Sequence, residues 1–151
     1  MQVTAQQIRT WLADVPDPEI PVISLVELGI IRDVRQVDAQ WEVDVSPTYS
    51  GCPATSVIAQ TIREALAEHG VSVAVNQTLS PPWTTDWISQ SGREKLEAYG
   101  IAPPRAAGGP ERCPRCHSAD LERLSQFGST PCKAQWRCRT CLEPFEYFKC
   151  L

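Results

Sequence analysis

The apolar positions near the amino end of the chain recur at helical spacing. Four of them follow an i, i+3, i+4, i+7 pattern, which places them on one face of an α-helix: Ile8, Trp11, Leu12 and Val15. Thr4 and Gln7 form a Thr-x-x-Gln capping box, in which each side chain can satisfy a backbone amide of the first turn. The pattern therefore predicts a short amphipathic helix that begins at Thr4 and runs to about Asp14.

Further along, the pattern alternates between the periods of strands and helices. Two β-branched runs at 30–37 and 41–45 are separated by three residues, which predicts a hairpin. Helical spacing predicts a helix over 53–69, with proline at its start and glycine just after its end. A third strand is expected over 71–79. A last helix is expected over 86–99, with Asp86 as its amino-terminal cap. The order αββαβα predicts an α/β domain, a small three-stranded sheet with packed helices.

The remaining third of the chain has a different pattern. Residues 101–112 contain three prolines and two glycines without apolar periodicity, which is typical of a linker. After them come three strand-like segments, at 121–127, 133–138 and 143–150. We therefore expect three parts: an α/β domain over 1–100, a Pro/Gly linker over 101–112 and an all-β module over 113–151.

Six of the seven cysteines lie in this last module, and four of them form two Cys-x-x-Cys motifs separated by 21 residues. The motif cysteines are Cys113, Cys116, Cys138 and Cys141. Each motif lets two thiolates converge on one ion, and two facing motifs complete a tetrahedral site. The spacing predicts a zinc ribbon with one structural zinc ion. Iron in a rubredoxin-like site is the alternative, since iron also accepts four thiolates.

Three further cysteines stand outside the four-cysteine set. Cys132 and Cys150 are surplus to a tetrahedral site, so they are either idle thiols or a second thiol pair. Cys52 precedes the predicted second helix, where unpaired amides would lower the pKa of its thiol, although a packing role is the plain alternative. The chain offers no Ser/His/Asp set, carboxylate pair or Gly-rich phosphate loop. Asp17 and Glu19 lie in a proline-rich loop and are expected to be solvated turn acids.

Composition and charge narrow the class of protein. No apolar run is long enough to span a bilayer, and the first residues lack the features of a signal peptide, so we expect a cytoplasmic protein. In that compartment cysteines are reduced, which favours metal binding over a disulfide framework. Residues 1–100 carry six Lys or Arg against thirteen Asp or Glu, which opposes binding to nucleic acid.

Three stretches of the first domain resemble the metal–sulfur cluster assembly domain family. They are DPEIPVISLVELGIIRDV at 17–34, SPTYSGCPATSVIAQTI at 46–62 and LSPPWTTDWISQSGREKLEAYGI at 79–101. The fused cysteine-rich tail is similar to that of bacterial phenylacetate-degradation proteins associated with the phenylacetyl-CoA epoxidase system. Cys132 and Cys150 match cysteines of that type of tail.

The resemblance implies a maturation role in aerobic phenylacetate catabolism rather than catalysis by the chain itself. It implies that Cys52 is a reactive cysteine, that Asp17 and Glu19 belong to an acidic signature, and that iron or an iron–sulfur cluster is held transiently. The partners implied are the oxygenase and reductase subunits of the epoxidase system, with no nucleic acid or membrane partner. A structural subunit that bridges these partners without handling metal is the alternative, and a homodimer is left open. A nucleic-acid-binding ribbon is a minor alternative.

Overall fold

A computed structural model describes residues 2–47, 55–105, 109–130 and 132–149. The chain divides into two compact units. The first comprises residues up to 83 together with 87–89, and the second comprises 84–86 together with 90 onward. Among the described residues, no helix is long and apolar enough to cross a membrane.

The first unit begins with helix α1, Ala5–Leu12. The predicted capping box is present, because the Gln7 amide donates to Thr4 Oγ1 at 3.2 Å and the Thr4 amide donates to Gln7 Oε1 at 2.9 Å. Ile8 and Leu12 are fully buried, as the helical spacing predicted. The helix ends two residues earlier than expected.

The sheet of the first unit contains strands β1, Ile31–Val37, β2, Gln40–Val45, and β3, Val73–Gln77, in that order. β1 and β2 pair antiparallel and form the predicted hairpin. Asp38 and Ala39 turn the chain with φ of 47° and 66°, as a tight two-residue hairpin turn requires. β3 lies parallel to β2, so the segment between them must cross over the sheet.

That crossover contains helix α2, Thr55–Ala67. Its buried residues recur at helical spacing and include Ile58, Ile62 and Leu66. The proline expected at the start of this helix lies outside the described residues. Gly70 follows the helix with φ of 75°, a left-handed conformation that favours glycine.

The second unit contains helix α3, Gln90–Tyr99, and strands β4, Ile101–Ala102, β5, Leu121–Ser125, β6, Lys133–Cys138, and β7, Pro144–Phe148. The sheet order is β4-β7-β6-β5. β5, β6 and β7 pair antiparallel in sequence, whereas β4 pairs parallel with β7. The predicted fold class is confirmed: a mixed α/β region with a three-stranded sheet is followed by a β-rich carboxyl region.

Two predicted boundaries differ from the structure. The segment expected to open the last helix forms one 3₁₀ turn at Thr85–Trp87, and α3 begins only at Gln90. The reason is that residues 87–89 pack into the first unit, where Ile88 is buried. The second difference concerns α3 and residues 101–102, which the sequence placed in the first domain and the linker. They belong to the second unit, because Ile101 and Ala102 are buried and paired with β7.

Candidate metal centre

The sulfur atoms of Cys113, Cys116, Cys138 and Cys141 converge in the second unit, all within 4.8 Å of one another. The Sγ atoms of Cys113 and Cys141 are 3.8 Å apart, and those of Cys116 and Cys138 are 3.5 Å apart. A tetrahedral ion with zinc–sulfur bonds of about 2.3 Å separates its sulfur ligands by about 3.8 Å. The four thiols therefore fit one tetrahedral ion, which makes this cluster a candidate metal site.

Backbone amides support the sulfur atoms in the same way in both motifs. The Cys116 amide lies 3.5 Å from Cys113 Sγ, and the Cys141 amide lies 3.5 Å from Cys138 Sγ. The Arg115 amide also donates to Cys113 Sγ, at 3.4 Å. Amide donors stabilise thiolate sulfur and orient it, so each motif is preorganised for a cation.

A left-handed residue closes each motif. His117 follows the first motif and Leu142 follows the second, each with φ of 65°. This conformation is uncommon for residues other than glycine. It lets the chain turn back so that the Cys113 amide donates to the Ser118 carbonyl at 2.8 Å and the Cys138 amide donates to the Glu143 carbonyl at 3.0 Å. The two motifs are therefore copies of one turn.

Two of the four clustered cysteines are also core residues. Cys113 and Cys138 are fully buried and belong to a cluster with Ala102, Phe145 and Tyr147. Leu121 and Trp136 pack against this cluster. The core is small, so the metal site and the apolar core of this unit depend on one another.

Most of the aromatic residues of the ribbon are core residues. Phe145, Tyr147 and Phe148 are each at most 5% exposed. Most of their surface therefore lies in the interior of the unit. Trp136 is partly buried against the same core, with its ring at right angles to that of Tyr147.

The thiols of the second motif have shifted pKa values. The backbone hydrogen bond from Cys141 lowers the pKa of Cys138 to about 6, with help from the Thr140 amide and from the Cys116 and Cys141 thiols. At Cys141 the backbone hydrogen bond from Glu143 lowers the pKa, but burial and the neighbouring thiols together raise it to about 12. In the metal-free cluster the Cys138 thiol therefore loses its proton far more readily than the Cys141 thiol.

Helix α3 contributes an acidic side chain beside the first motif. The carboxylate of Glu97 lies 2.9 Å from the Arg112 guanidinium and 3.6 Å from Nδ1 of His117. These two residues flank the motif on either side. His117 thus lies beside a carboxylate and is not one of the four residues of the cluster. No sequence signal marked Glu97, because its partners lie fifteen and twenty residues further along the chain.

Of the other predicted cysteines, Cys132 lies among the described residues and is not part of the cluster. Cys132 is buried, and its Sγ is 3.0 Å from Thr130 Oγ1. Cys150, its predicted partner, lies outside the described residues, so a second thiol pair stays a prediction. Cys52 also lies outside them.

The two acids of the proline-rich loop have separate environments. Asp17 was expected to be a solvated acid, but it is only 5% exposed. Its Oδ2 accepts hydrogen bonds from the amides of Glu19 at 2.9 Å and Ile20 at 2.8 Å. Asp17 therefore fixes the shape of the loop, whereas Glu19 is half-buried. The burial of Asp17 could not be predicted from sequence, because it depends on the fold of the whole loop.

Two parts of the chain match families of known proteins. Residues 5–76 match the family described as iron–sulfur cluster assembly protein, and residues 104–149 match the PaaD zinc beta ribbon domain. The chain is 48% identical, over 96% of its own length and 92% of the relative's, to an Escherichia coli K12 protein named as one of the subunits of 1,2-phenylacetyl-CoA epoxidase.

Two further comparisons cover the first part of the chain. The Fe-S protein maturation auxiliary factor YitW of Bacillus subtilis is 33% identical, over 60% of this chain and 91% of the relative. A crystal structure of the domain DUF59 from Bacillus anthracis is 25% identical and has a TM-score of 0.56. That likeness covers 61% of this chain and 90% of the solved one.

Proposed function

The chain belongs to the PaaD family of 1,2-phenylacetyl-CoA epoxidase subunits, and we propose that within such a system it is an accessory subunit that assists metal insertion. Its cargo would be iron or an iron–sulfur cluster. Its clients would be the oxygenase or reductase subunits of the epoxidase. In this proposal the chain carries out no step on the CoA ester.

The observation that carries the proposal is the separation of two kinds of metal chemistry along the chain. The ribbon offers four thiols to one ion, which fills a tetrahedral coordination shell and leaves no open position for transfer. The match to iron–sulfur cluster assembly proteins covers residues 5–76, which include Cys52, Asp17 and Glu19 but none of the ribbon cysteines. The transfer role is therefore assigned to the first unit, and a structural role is assigned to the ribbon.

Cys52 is proposed as the transient ligand. Its thiol would release a proton to solvent as the sulfur binds incoming iron, and the sulfur would take up a proton when client ligands displace it. No oxidation is needed, because the exchange only replaces one metal ligand by another. Cys52 precedes the first described residue of α2 by three positions, and a thiol near a helix start has a lowered pKa.

The two acidic residues of the proline-rich loop, Asp17 and Glu19, are proposed to assist Cys52 in different ways. Asp17 holds the loop through its two amide hydrogen bonds, so its role is to position the segment. Glu19 has a half-buried carboxylate, and carboxylate oxygen is a suitable ligand for iron in transit.

Zinc is proposed as the resident ion of the ribbon. Four thiolates in tetrahedral geometry suit zinc, and the ribbon matches a family described by that metal. The ion would hold the two motifs and the small core together. Metal analysis of the purified protein should give one zinc per chain and a colourless ribbon, whereas a rubredoxin-like spectrum would identify iron instead.

The decisive experiment measures iron in the epoxidase subunits after coexpression with this protein. We expect wild type to load them and Cys52→Ser to leave them at the level found without the protein. Ser56→Ala, on an exposed residue of α2, is the matched control and should load like wild type. The zinc content of each variant shows whether the ribbon has folded.

The same experiment separates the proposal from its alternative. A bridging subunit that handles no metal predicts full iron loading with Cys52→Ser, provided that the variant still copurifies with the other subunits. Equal loading by Cys52→Ser and wild type would therefore rule out metal transfer by this cysteine.

A further inference from the structure

A cavity lies next to Ala134 on the sheet of the second unit, on the face that carries the apolar core. Ala134 and Tyr147 are paired in the ladder, and Trp136 lies two residues along on the same face. These three side chains form the apolar floor of a cavity of about 330 Å³. Gly109 forms a wall, and its backbone lies so close to the indole that a Cβ there would be 2.8 Å from Trp136 Cζ2.

The rim of the cavity is cationic. Arg123, Lys149 and Gln126 line it, and no acidic side chain does so among the described residues. Lys149 Nζ donates to the Gln126 carbonyl at 3.0 Å, which leaves its charge without a carboxylate partner there. The Arg123 guanidinium makes no ion pair or hydrogen bond with the described part of the chain. Two positive charges therefore border an aromatic floor.

Four other cations of this unit are already paired with carboxylates of the same unit. Arg137 pairs with Glu122, Arg139 lies 3.4 Å from Asp120, Lys133 lies 3.7 Å from Glu146, and Arg112 lies 2.9 Å from Glu97. A nucleic acid needs a track of free cations to neutralise successive phosphates. The two cations at the cavity rim instead suit a single anionic group there.

An exposed aromatic ring extends the apolar surface past the rim. Phe127 is 59% exposed, and Lys149 Nζ lies 4.4 Å from the centre of its ring. The cavity volume is at the lower end of the range for small-molecule sites, but it is sufficient for one side chain. A protein segment could fill the cavity with one side chain and also cover Phe127, whereas a small molecule held in the cavity would leave that ring exposed.

We propose that this cavity binds an acidic segment of a partner protein, in which a carboxylate lies next to an apolar side chain. The apolar side chain packs on Trp136 and Tyr147, and the carboxylate pairs with Arg123 and Lys149. The partner would be a client subunit of the epoxidase, and only this identification rests on the proposed accessory role. A peptide titration and the iron-loading assay can therefore fail independently.

The test is a calorimetric titration of the full zinc-loaded chain with the peptide acetyl-Gly-Phe-Asp-Gly-amide. We expect saturable binding that weakens about tenfold with Arg123→Gln, since a hydrogen bond to a charged group contributes that much. Arg63→Gln is the matched control, because it removes the same charge from an exposed residue of the first unit. Replacing Asp by Asn in the peptide should weaken binding to the wild-type chain by a similar factor.

Four results would overturn the proposal. They are no binding of the peptide, equal affinity of Arg123→Gln and wild type, tighter binding of free 3-phenylpropanoate than of the peptide, and tighter binding of a single-stranded oligonucleotide. The third result would indicate a small-molecule site and the fourth a nucleic-acid interface. Arg123 is exposed, so its substitution should leave the zinc content unchanged, and measuring that content excludes unfolding as the cause of any loss.

Discussion

Removal of the ribbon metal should destabilise helix α3 as well as the ribbon strands. α3 lies before the segment that matches the zinc ribbon family, yet it belongs to the same compact unit as the four cysteines. The Arg93 guanidinium donates to the Pro104 carbonyl at 2.8 Å, and Glu97 pairs with Arg112 next to the first motif. A helix of ten residues is marginal in water by itself, so these contacts decide whether it persists.

The size of the effect follows from the contacts that would be lost. A hydrogen bond to a charged group contributes about 1.5–3 kcal/mol and an exposed ion pair up to about 1 kcal/mol. Together they stabilise α3 by about 3 kcal/mol, which corresponds to about 100-fold slower amide exchange in the metal-bound protein. We therefore expect chelation to accelerate exchange in α3 by about two orders of magnitude.

Hydrogen exchange measured by mass spectrometry before and after chelation checks this expectation. Helix α2 is the internal reference, since it belongs to the first unit and should keep its protection. If α3 kept its protection while β6 and β7 lost theirs, the assignment of α3 to the metal-dependent unit would be refuted. Glu97→Gln should shift only α3, by less than tenfold, because it removes one exposed ion pair.

Three further predictions follow from single residues. Zinc retention should fall steeply as the pH drops through about 6, because Cys138 then binds a proton that competes with the metal. A chromogenic chelator measures the zinc released, and retention independent of pH would contradict the prediction. Gly109→Ala should lower the unfolding free energy of the second unit by about 1–3 kcal/mol, since φ is 81° and the Cβ would clash with Trp136. Gly70 has φ of 75° but open space around it, so Gly70→Ala should lower the unfolding free energy of the first unit by less. Thermal melts measure both effects. Asp17→Ala should destabilise the first unit by about 2 kcal/mol through loss of two hydrogen bonds, and an unchanged melting temperature would show that the carboxylate is dispensable.

The elements that sequence predicted well are those with a long periodic pattern or a specific local motif. The capping box at Thr4 and Gln7, the hairpin and the three ribbon strands all have such patterns, and all are present in the structure. The four ribbon cysteines were predicted for the same reason, since two fixed motifs bring their thiols together in any ribbon. These features depend on short stretches of chain.

The features that sequence missed depend on contacts between distant residues. β4 has only two residues, too few for an alternating pattern, and it forms because β7 offers a free edge far along the chain. The left-handed conformation at His117 and Leu142 is set by the turn around the sulfurs, and at Leu142 the residue type does not suggest it. The late start of α3 is a similar case, since Ile88 is buried as part of the first unit.

The short strand β4 has a consequence for aggregation. Without it, β7 would be an outer strand of the ribbon sheet, with unpaired backbone groups able to pair with another chain. β4 covers that edge with two residues, and Pro103 and Pro104 follow it immediately, where they supply no amide donors for a further strand. A fragment that begins at residue 104 would keep all four cysteines but lose this cover. Such a fragment should bind zinc and self-associate, whereas the chain from residue 84 onward keeps the edge closed.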